Sequence, residues 1–235
     1  MKTHIITYAT HSEGKFEELI NNQLGIKIKV LGWGEKWNGL MSKILKMYEY
    51  IQTLPEDDMI IFVDGFDVVI TKPINIILQR FNKLNTDILV SKGVDFFGLE
   101  FTIFGTCNSN YYANSGMYMG CNKHIKPVLK YMIDYDNLNN INEDQLCFNK
   151  ACPHFNIKVD VDKTVFHNVE YIDRILVNNI DSCFISTPGE ITWTRLKRVP
   201  SEYGIHILKI VFTIIIILTI IYLIYQLFNR VITSN

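Results

Sequence analysis

Between His4 and Val90 the chain alternates short β-branched runs with amphipathic stretches, and that alternation restricts the fold more than any other feature of the sequence. His4 to Tyr8 is apolar and β-branched, and Ile26 to Leu31 sets Ile and Val against Lys27 and Lys29, the pattern of a half-buried strand. Glu13 to Asn22 places Phe16, Leu19 and Ile20 on one helical face. Leu40 to Leu54 repeats apolar residues at Leu40, Ile44, Met47 and Ile51 until Pro55 stops it. Met59 to Val63 contains no polar residue, which suits a strand covered on both faces. Pro73 to Leu84 reads as a helix opened by its proline, and Asp87 to Val90 as another strand. Strands separated by helices in this order pair in parallel through right-handed crossovers. The expected fold is therefore α/β, a mostly parallel Rossmann-type sheet flanked by helices, with residues 1–200 as one domain.

A second constraint lies at the other end. From Ile210 to Phe228 the chain carries no charge and is apolar on every face, with Lys209 and Arg230 as flanks. At about 1.5 Å per residue such a run spans the roughly 30 Å core of a bilayer. The expected division is a juxtamembrane linker at 201–208, a transmembrane helix at 209–229 and a short tail at 230–235. Met1 to Ala9 lacks the features of a secretory leader, so the expected anchor is a single-pass, tail-anchored one. Arg195, Lys197 and Arg198 precede the run and only Arg230 follows it, which places the N-terminal domain in the cytosol, on a host membrane or a virion membrane if the source is viral. Lys+Arg number 23 against 24 Asp+Glu, so no basic field points to a nucleic-acid partner. The cysteines at 107, 121, 147, 152 and 183 are odd in number and lack metal-type spacing; buried thiols are expected rather than a disulfide framework or a zinc site.

In open α/β sheets ligands bind beyond the carboxyl ends of the strands. Directly after Val63 stands Asp64-Gly65-Phe66-Asp67. A carboxylate leaving a buried strand is costly unless it is paired or ligates a cation. Two of them across a glycine turn can converge on one hard divalent ion, Mn²⁺ or Mg²⁺, whose shell is completed by phosphate and water. The spacing does not fit a haloacid-type phosphatase, which needs two Asp separated by one residue.

Five segments occur in sequence order: Thr7-Tyr8-Ala9-Thr10, Leu31-Gly32-Trp33-Gly34-Glu35-Lys36-Trp37, Phe62 to Val68, Asn114-Ser115-Gly116 and Glu143-Asp144-Gln145-Leu146. Together they resemble the glycosyltransferase domain of the procollagen lysyl hydroxylases and its stand-alone viral relatives, over roughly residues 3–195. The resemblance implies a GT-A fold, a uridine-diphosphate sugar donor, Mn²⁺ and transfer of a hexose to a hydroxyl on protein, lipid or glycan. By position it makes Asp64 and Asp67 the metal carboxylates and Phe66 the aromatic that packs on uracil. Thr10, Trp37 and Lys43 match donor-pocket positions, and Asn114, Asp144 and Gln145 match the segment around the transferred sugar. Asn114-Ser115-Gly116 reads locally as a turn, and Asp144 as the start of a helix.

Two departures stand out. Ser186 occupies the place of the family's metal-binding His, with His167 a distant substitute, and the Trp37 to Lys43 connection is short. The alternative expectation is a degenerate transferase kept as a membrane or virion binding protein. Nothing resembles the iron-dependent hydroxylase domain.

Overall fold

The computed structural model describes residues 1–94, 103–108, 111–169, 181–187, 211–220, 222 and 225. Two compact units are present, Met1–Glu190 and Ile191–Asn235.

The first unit is built on strands β1 (Thr3–Tyr8), β2 (Ile28–Leu31), β3 (Met59–Val63), β4 (Val68–Ile70), β5 (Ile88–Lys92), β6 (Ala113–Cys121), β7 (Ile157–Asp160), β8 (Phe166–Asn168) and β9 (Phe184–Ser186). Its helices are α1 (Phe16–Ile20), α2 (Met41–Ile51), α3 (Ile74–Asn82), α4 (Asn122–Asn139) and α5 (Asp144–Ala151). The central sheet has the order β2-β1-β3-β6-β5-β7, and a smaller sheet has the order β4-β9-β8. In the central sheet β1 pairs in parallel with β2 and β3, and β5 with β7. Strand β6 is antiparallel to both of its neighbours, β3 and β5. The sheet is thus mostly parallel, with one reversed strand near its middle.

The alternation of side chains along β3 explains its unbroken apolar run. Ile60 and Phe62 point into a cluster with Ile6, Tyr8, Ile44, Met47, Tyr118 and Phe148, beneath α2, α4 and α5. Met59, Ile61 and Val63 enter a second cluster with Leu19, Val68, Ile77, Phe81, Phe166 and Phe184, beneath α1, α3 and the small sheet. All five β3 residues are buried, so both faces are desolvated, as the composition implied. Truncating a large member such as Phe62 to Ala costs about 3–5 kcal/mol through lost burial and cavity formation. The side-chain amide of Asn122 donates to Ile51 O at 3.0 Å, Leu54 O at 2.9 Å and Pro55 O at 3.2 Å, so one residue closes α2 while opening α4. Pro73, at the N-cap of α3, lies where the sequence put it.

Three expectations need correction. Cys107 and Cys152 form a disulfide, with Cα atoms 5.1 Å apart, which an odd cysteine count does not forbid. Cys121, Cys147 and Cys183 remain free thiols. Asn114-Ser115-Gly116 is not a turn but lies in β6, because the segment pairs with both β3 and β5. The first helix covers only Phe16–Ile20, shorter than the apolar spacing suggests.

In the second unit residues 211–220 are helical and exposed. Among the described residues no helix is long and apolar enough to cross a membrane. Much of the expected linker, transmembrane helix and tail lies outside the described residues.

Candidate active site

The reversal of β6 assembles the site. Because β6 runs against β3, its beginning lies beside the end of β3, and the Asp64 N–H donates to Gly116 O at 2.7 Å. A Cβ on Gly116 would lie 2.5 Å from Asp64 Oδ2 and 2.8 Å from Asn114 Oδ1, so only glycine admits these two side chains as they stand.

Lys43, on the first turns of α2, reaches this point from the other side of the sheet's end. Its Nζ lies 3.1 Å from Asp64 Oδ1 and 2.8 Å from Asp144 Oδ2. The ammonium also stands 5.9 Å from the centroid of the Phe62 ring. Lys43 and Asp144 are buried, whereas the Asp64 side chain is 37% exposed. Burial pulls the Lys43 pKa down, but the charges and hydrogen bonds of Asp144 and Asp64 outweigh it and hold the ammonium well above the usual lysine range.

Asp144 is the first residue of α5, and the preceding residue, Glu143, caps that helix by accepting from the Leu146 N–H. The Ser115 hydroxyl donates to Asp144 Oδ2, the oxygen that also faces Lys43. Asn114 Nδ2 donates to Gln145 Oε1 at 3.1 Å, while Asn114 Oδ1 accepts from the Gly116 N–H at 2.9 Å. Asn149, one turn along α5, bonds both the N–H and the carbonyl of Ala113, at 2.8 and 2.9 Å, and so locks α5 to the start of β6. Burial, then the Asp144 charge, push the Glu143 carboxyl up to about 8, against the backbone N–H groups and Lys43 that lower it.

Asp67 is buried at the entry to β4, its carbonyl accepting from Thr187 N at 2.9 Å. Ser186 stands opposite Val68, the neighbour of Asp67, and is buried. The late strand β9 therefore runs beside the start of β4, next to the acidic turn. His167 lies on β8, buried and in register with Ile185.

The ends of β1 and β2 supply the remaining candidates. Gly34 N donates to Thr10 O at 2.9 Å, and Lys15 N to Phe66 O at 2.8 Å, which fastens the segment after β1 to the turns after β2 and β3. The approach is close: a Cβ on Gly14, at φ +57, would lie 2.1 Å from Phe66 O. Phe66 faces His11, with ring centroids 5.3 Å apart. Trp37 packs against Tyr8 at 5.9 Å, and the exposed Trp33 stacks on Phe16 at 4.9 Å.

Lys43, Asp64, Asn114, Asp144 and Gln145 are thus joined through direct contacts and Gly116, while Thr10 and Phe66 meet through His11. Trp37 belongs to the core beside them. Sequence reasoning passed over Ser115 and Glu143 as site residues although both lie inside the quoted segments, each directly beside a residue that was singled out. Among the described residues no group of three or more His, Cys, Asp or Glu is placed to hold a metal. The acidic turn offers oxygen donors only, the half-exposed Asp64 and the buried Asp67, with Ser186 on the strand that pairs beside them; by chemical type these would suit a hard ion that keeps phosphate and water in its shell.

A mostly parallel α/β sheet with an acidic turn, a buried lysine and a carboxamide pair at its carboxyl edge defines a glycosyltransferase-like domain. The chain belongs to the PLOD GT domain family, which it matches over residues 1–182. It is 27% identical, over 192 residues, to the multifunctional procollagen lysine hydroxylase and glycosyltransferase of Caenorhabditis elegans. That match takes in 70% of this chain and 25% of the worm protein, so the chain spans about a quarter of that relative. A solved structure of the galactosyltransferase LgtC, in complex with donor and acceptor sugar analogs, superposes with a TM-score of 0.47 at 12% identity, covering 80% of this chain and 87% of that one.

Proposed function

We propose that this domain transfers a hexose from a UDP-sugar to an acceptor hydroxyl, with Mn²⁺ or Mg²⁺ held by Asp64 and Asp67. The observation that carries the reading is the Lys43 ammonium set between Asp64 and Asp144 at the end of the sheet. A bound divalent ion neutralises charge on a departing diphosphate. Lys43 keeps the buried Asp144 compensated and adds positive potential where that charge develops. Asp144, oriented by Ser115 and Lys43, is an acceptor for a sugar hydroxyl, and the Asn114 and Gln145 amides present donors and acceptors to the same ring. Thr10 and Phe66 border the nucleotide end, and Trp37 backs it. In Asp64→Ala and Asp67→Ala, Mn²⁺-dependent UDP binding should disappear from a chain that still folds; unchanged affinity in both variants removes the metal assignment.

A second reading, a degenerate transferase retained for binding, is favoured by Ser186, since a hydroxyl is a weaker ligand than imidazole. Thermal stabilisation by UDP with and without Mn²⁺, followed by a hydrolysis screen over several UDP-sugars, separates the two. Attachment to a membrane through the run from Ile210 to Phe228 is also proposed, and detergent dependence of the full chain tests it. The Cys107–Cys152 bond favours an oxidising compartment for the catalytic domain, against the cytosolic side read from the basic residues. Protease protection of the domain in sealed vesicles decides the side.

A further inference from the structure

Strand β3 ends at Val63, opposite Met117 of β6, so the first residues of β6, where Asn114 and Ser115 stand, run on without it. The Asp64 N–H extends the pairing by one bond, to Gly116 O. On the other side of β6, Tyr112 O accepts from Gly93 N at 3.0 Å, just past the end of β5. Backbone groups alternate in direction along a strand, so the N–H and carbonyl of Ala113 point the opposite way, to where β3 no longer runs. Ala113 is buried, and both groups need a partner. The side-chain amide of Asn149 supplies it: Oδ1 accepts from the Ala113 N–H at 2.8 Å, and Nδ2 donates to the Ala113 carbonyl at 2.9 Å. An amide laid against one residue in this way reproduces the pair of bonds that a neighbouring strand makes. Asn149 stands in for a strand.

The same amide reaches back along its own helix. Nδ2 also donates to the Gln145 carbonyl at 2.8 Å. Both amide hydrogens and the amide oxygen are thus engaged, two bonds on β6 and one on the stretch that carries Asp144 and Gln145. Those two side chains meet β6 at its next residues, Asp144 through the Ser115 hydroxyl and Gln145 through Asn114 Nδ2. The Asn149–Ala113 pair therefore sets where α5 lies along β6, and with it where Asp144 and Gln145 stand. None of these bonds touches the turns after β1, β2 and β3, where Thr10, Phe66, Asp64 and Asp67 lie.

We propose that Asn149 is a positioning residue for the sugar half of the donor, holding Asp144 and Gln145 against Ser115 and Asn114 while the nucleotide half is built without it. This rests on the glycosyl-transfer reading above and deepens it, because it divides the site into two parts that one buried amide can uncouple. A displacement of about 1 Å at a reacting centre slows chemistry by up to about 100-fold. Loss of the amide should therefore appear in turnover and not in nucleotide affinity.

The test uses the full chain in detergent with Mn²⁺. Donor hydrolysis is followed over a panel of UDP-hexoses that includes UDP-glucose and UDP-galactose, and UDP affinity is measured by calorimetry, in wild type and Asn149→Asp. Aspartate keeps the shape and an acceptor for the Ala113 N–H, but sets a carboxylate oxygen against the two carbonyls that Nδ2 serves. The kcat should fall about 10- to 100-fold, with the Kd for UDP within about two-fold of wild type. Asn149→Ser, which removes the amide without burying a charge, should show the same split and serves where Asn149→Asp does not fold. Turnover within about three-fold of wild type in a folded variant overturns the inference alone. A parallel loss of UDP affinity, or failure of both variants to fold, overturns it too, because either makes the amide a support of the whole domain. A wild type that hydrolyses no UDP-hexose of the panel overturns the transfer reading and this inference with it.

Discussion

Replacing Lys43 by Met removes the one positive charge described between Asp64 and Asp144 while keeping much of the stem that packs in the core. The two ion pairs are unequal. Asp144 is 2% exposed and 2.8 Å from the ammonium, whereas the Asp64 side chain is 37% exposed and partly solvated without its partner. The cost therefore falls on Asp144, whose carboxylate would be left buried with the Ser115 hydroxyl as an inadequate substitute. Breaking one side of a buried pair costs about 3–5 kcal/mol, a large share of the roughly 5–15 kcal/mol that holds a domain together. Asp144→Asn alone should cost less, about 1–3 kcal/mol, because Lys43 keeps Asp64. In the double variant no buried charge is orphaned, so the two costs should fall short of their sum by about 2 kcal/mol. The assay is urea unfolding at pH 7 with linear extrapolation. Since the folded Lys43 pKa is raised, its stabilisation is complete below the unfolded lysine value of about 10.4 and is lost only at higher pH. The gap between wild type and Lys43→Met should then contain no Lys43 titration between pH 6 and 9. A Lys43→Met variant within about 0.5 kcal/mol of wild type, or strict additivity in the double variant, refutes the reasoning.

Three further outcomes are expected. Glu143 has a folded pKa raised to about 8 by burial, so the stability it contributes is present below its unfolded value of about 4.3 and drains away as pH rises through about 8; melts from pH 5 to 8.5 should show this decline, and Glu143→Gln should flatten it. Cys107→Ser, or reduction, should lower stability by about 2–4 kcal/mol, since the bond closes a long loop in the unfolded chain, and the free-thiol count under non-reducing conditions should be three. Tyr118→Phe should leave the melting temperature unchanged or raise it slightly, because the buried Tyr118 hydroxyl has no hydrogen-bond partner among the described residues.

The first half of the fold was readable because its signals are local. Met59–Val63 is uniformly apolar and became a central strand with those bounds, and Pro73 announced α3. The acidic turn was legible for the same reason: chemistry concentrates at strand ends. What escaped depends on partners far along the chain. Nothing in Asn114-Ser115-Gly116 says that β5 and β3 lie on either side of it, so a polar tripeptide reads as a turn. The Cys107–Cys152 pairing spans 45 residues and is set by where α5 ends, not by spacing. Asp144 was recognisable as a helix start, but the cap is Glu143, and its burial follows from packing that a linear reading does not contain.

The reversed strand also dictates the order in which the molecule can be completed. In a nascent chain β3 and β5 emerge well before β6, and in the finished sheet they never touch each other, because β6 lies between them. Until residue 121 has left the ribosome, the three-strand half-sheet β2-β1-β3 exposes the unpaired backbone edge of β3. Strand β5, whose other neighbour β7 is also still to come, has both edges open, the configuration most open to wrong partners. The domain therefore behaves as a keystone structure. Fragments that stop short of Cys121 should aggregate and not fold in part, and the chain cannot be split after Lys92 into halves that survive alone.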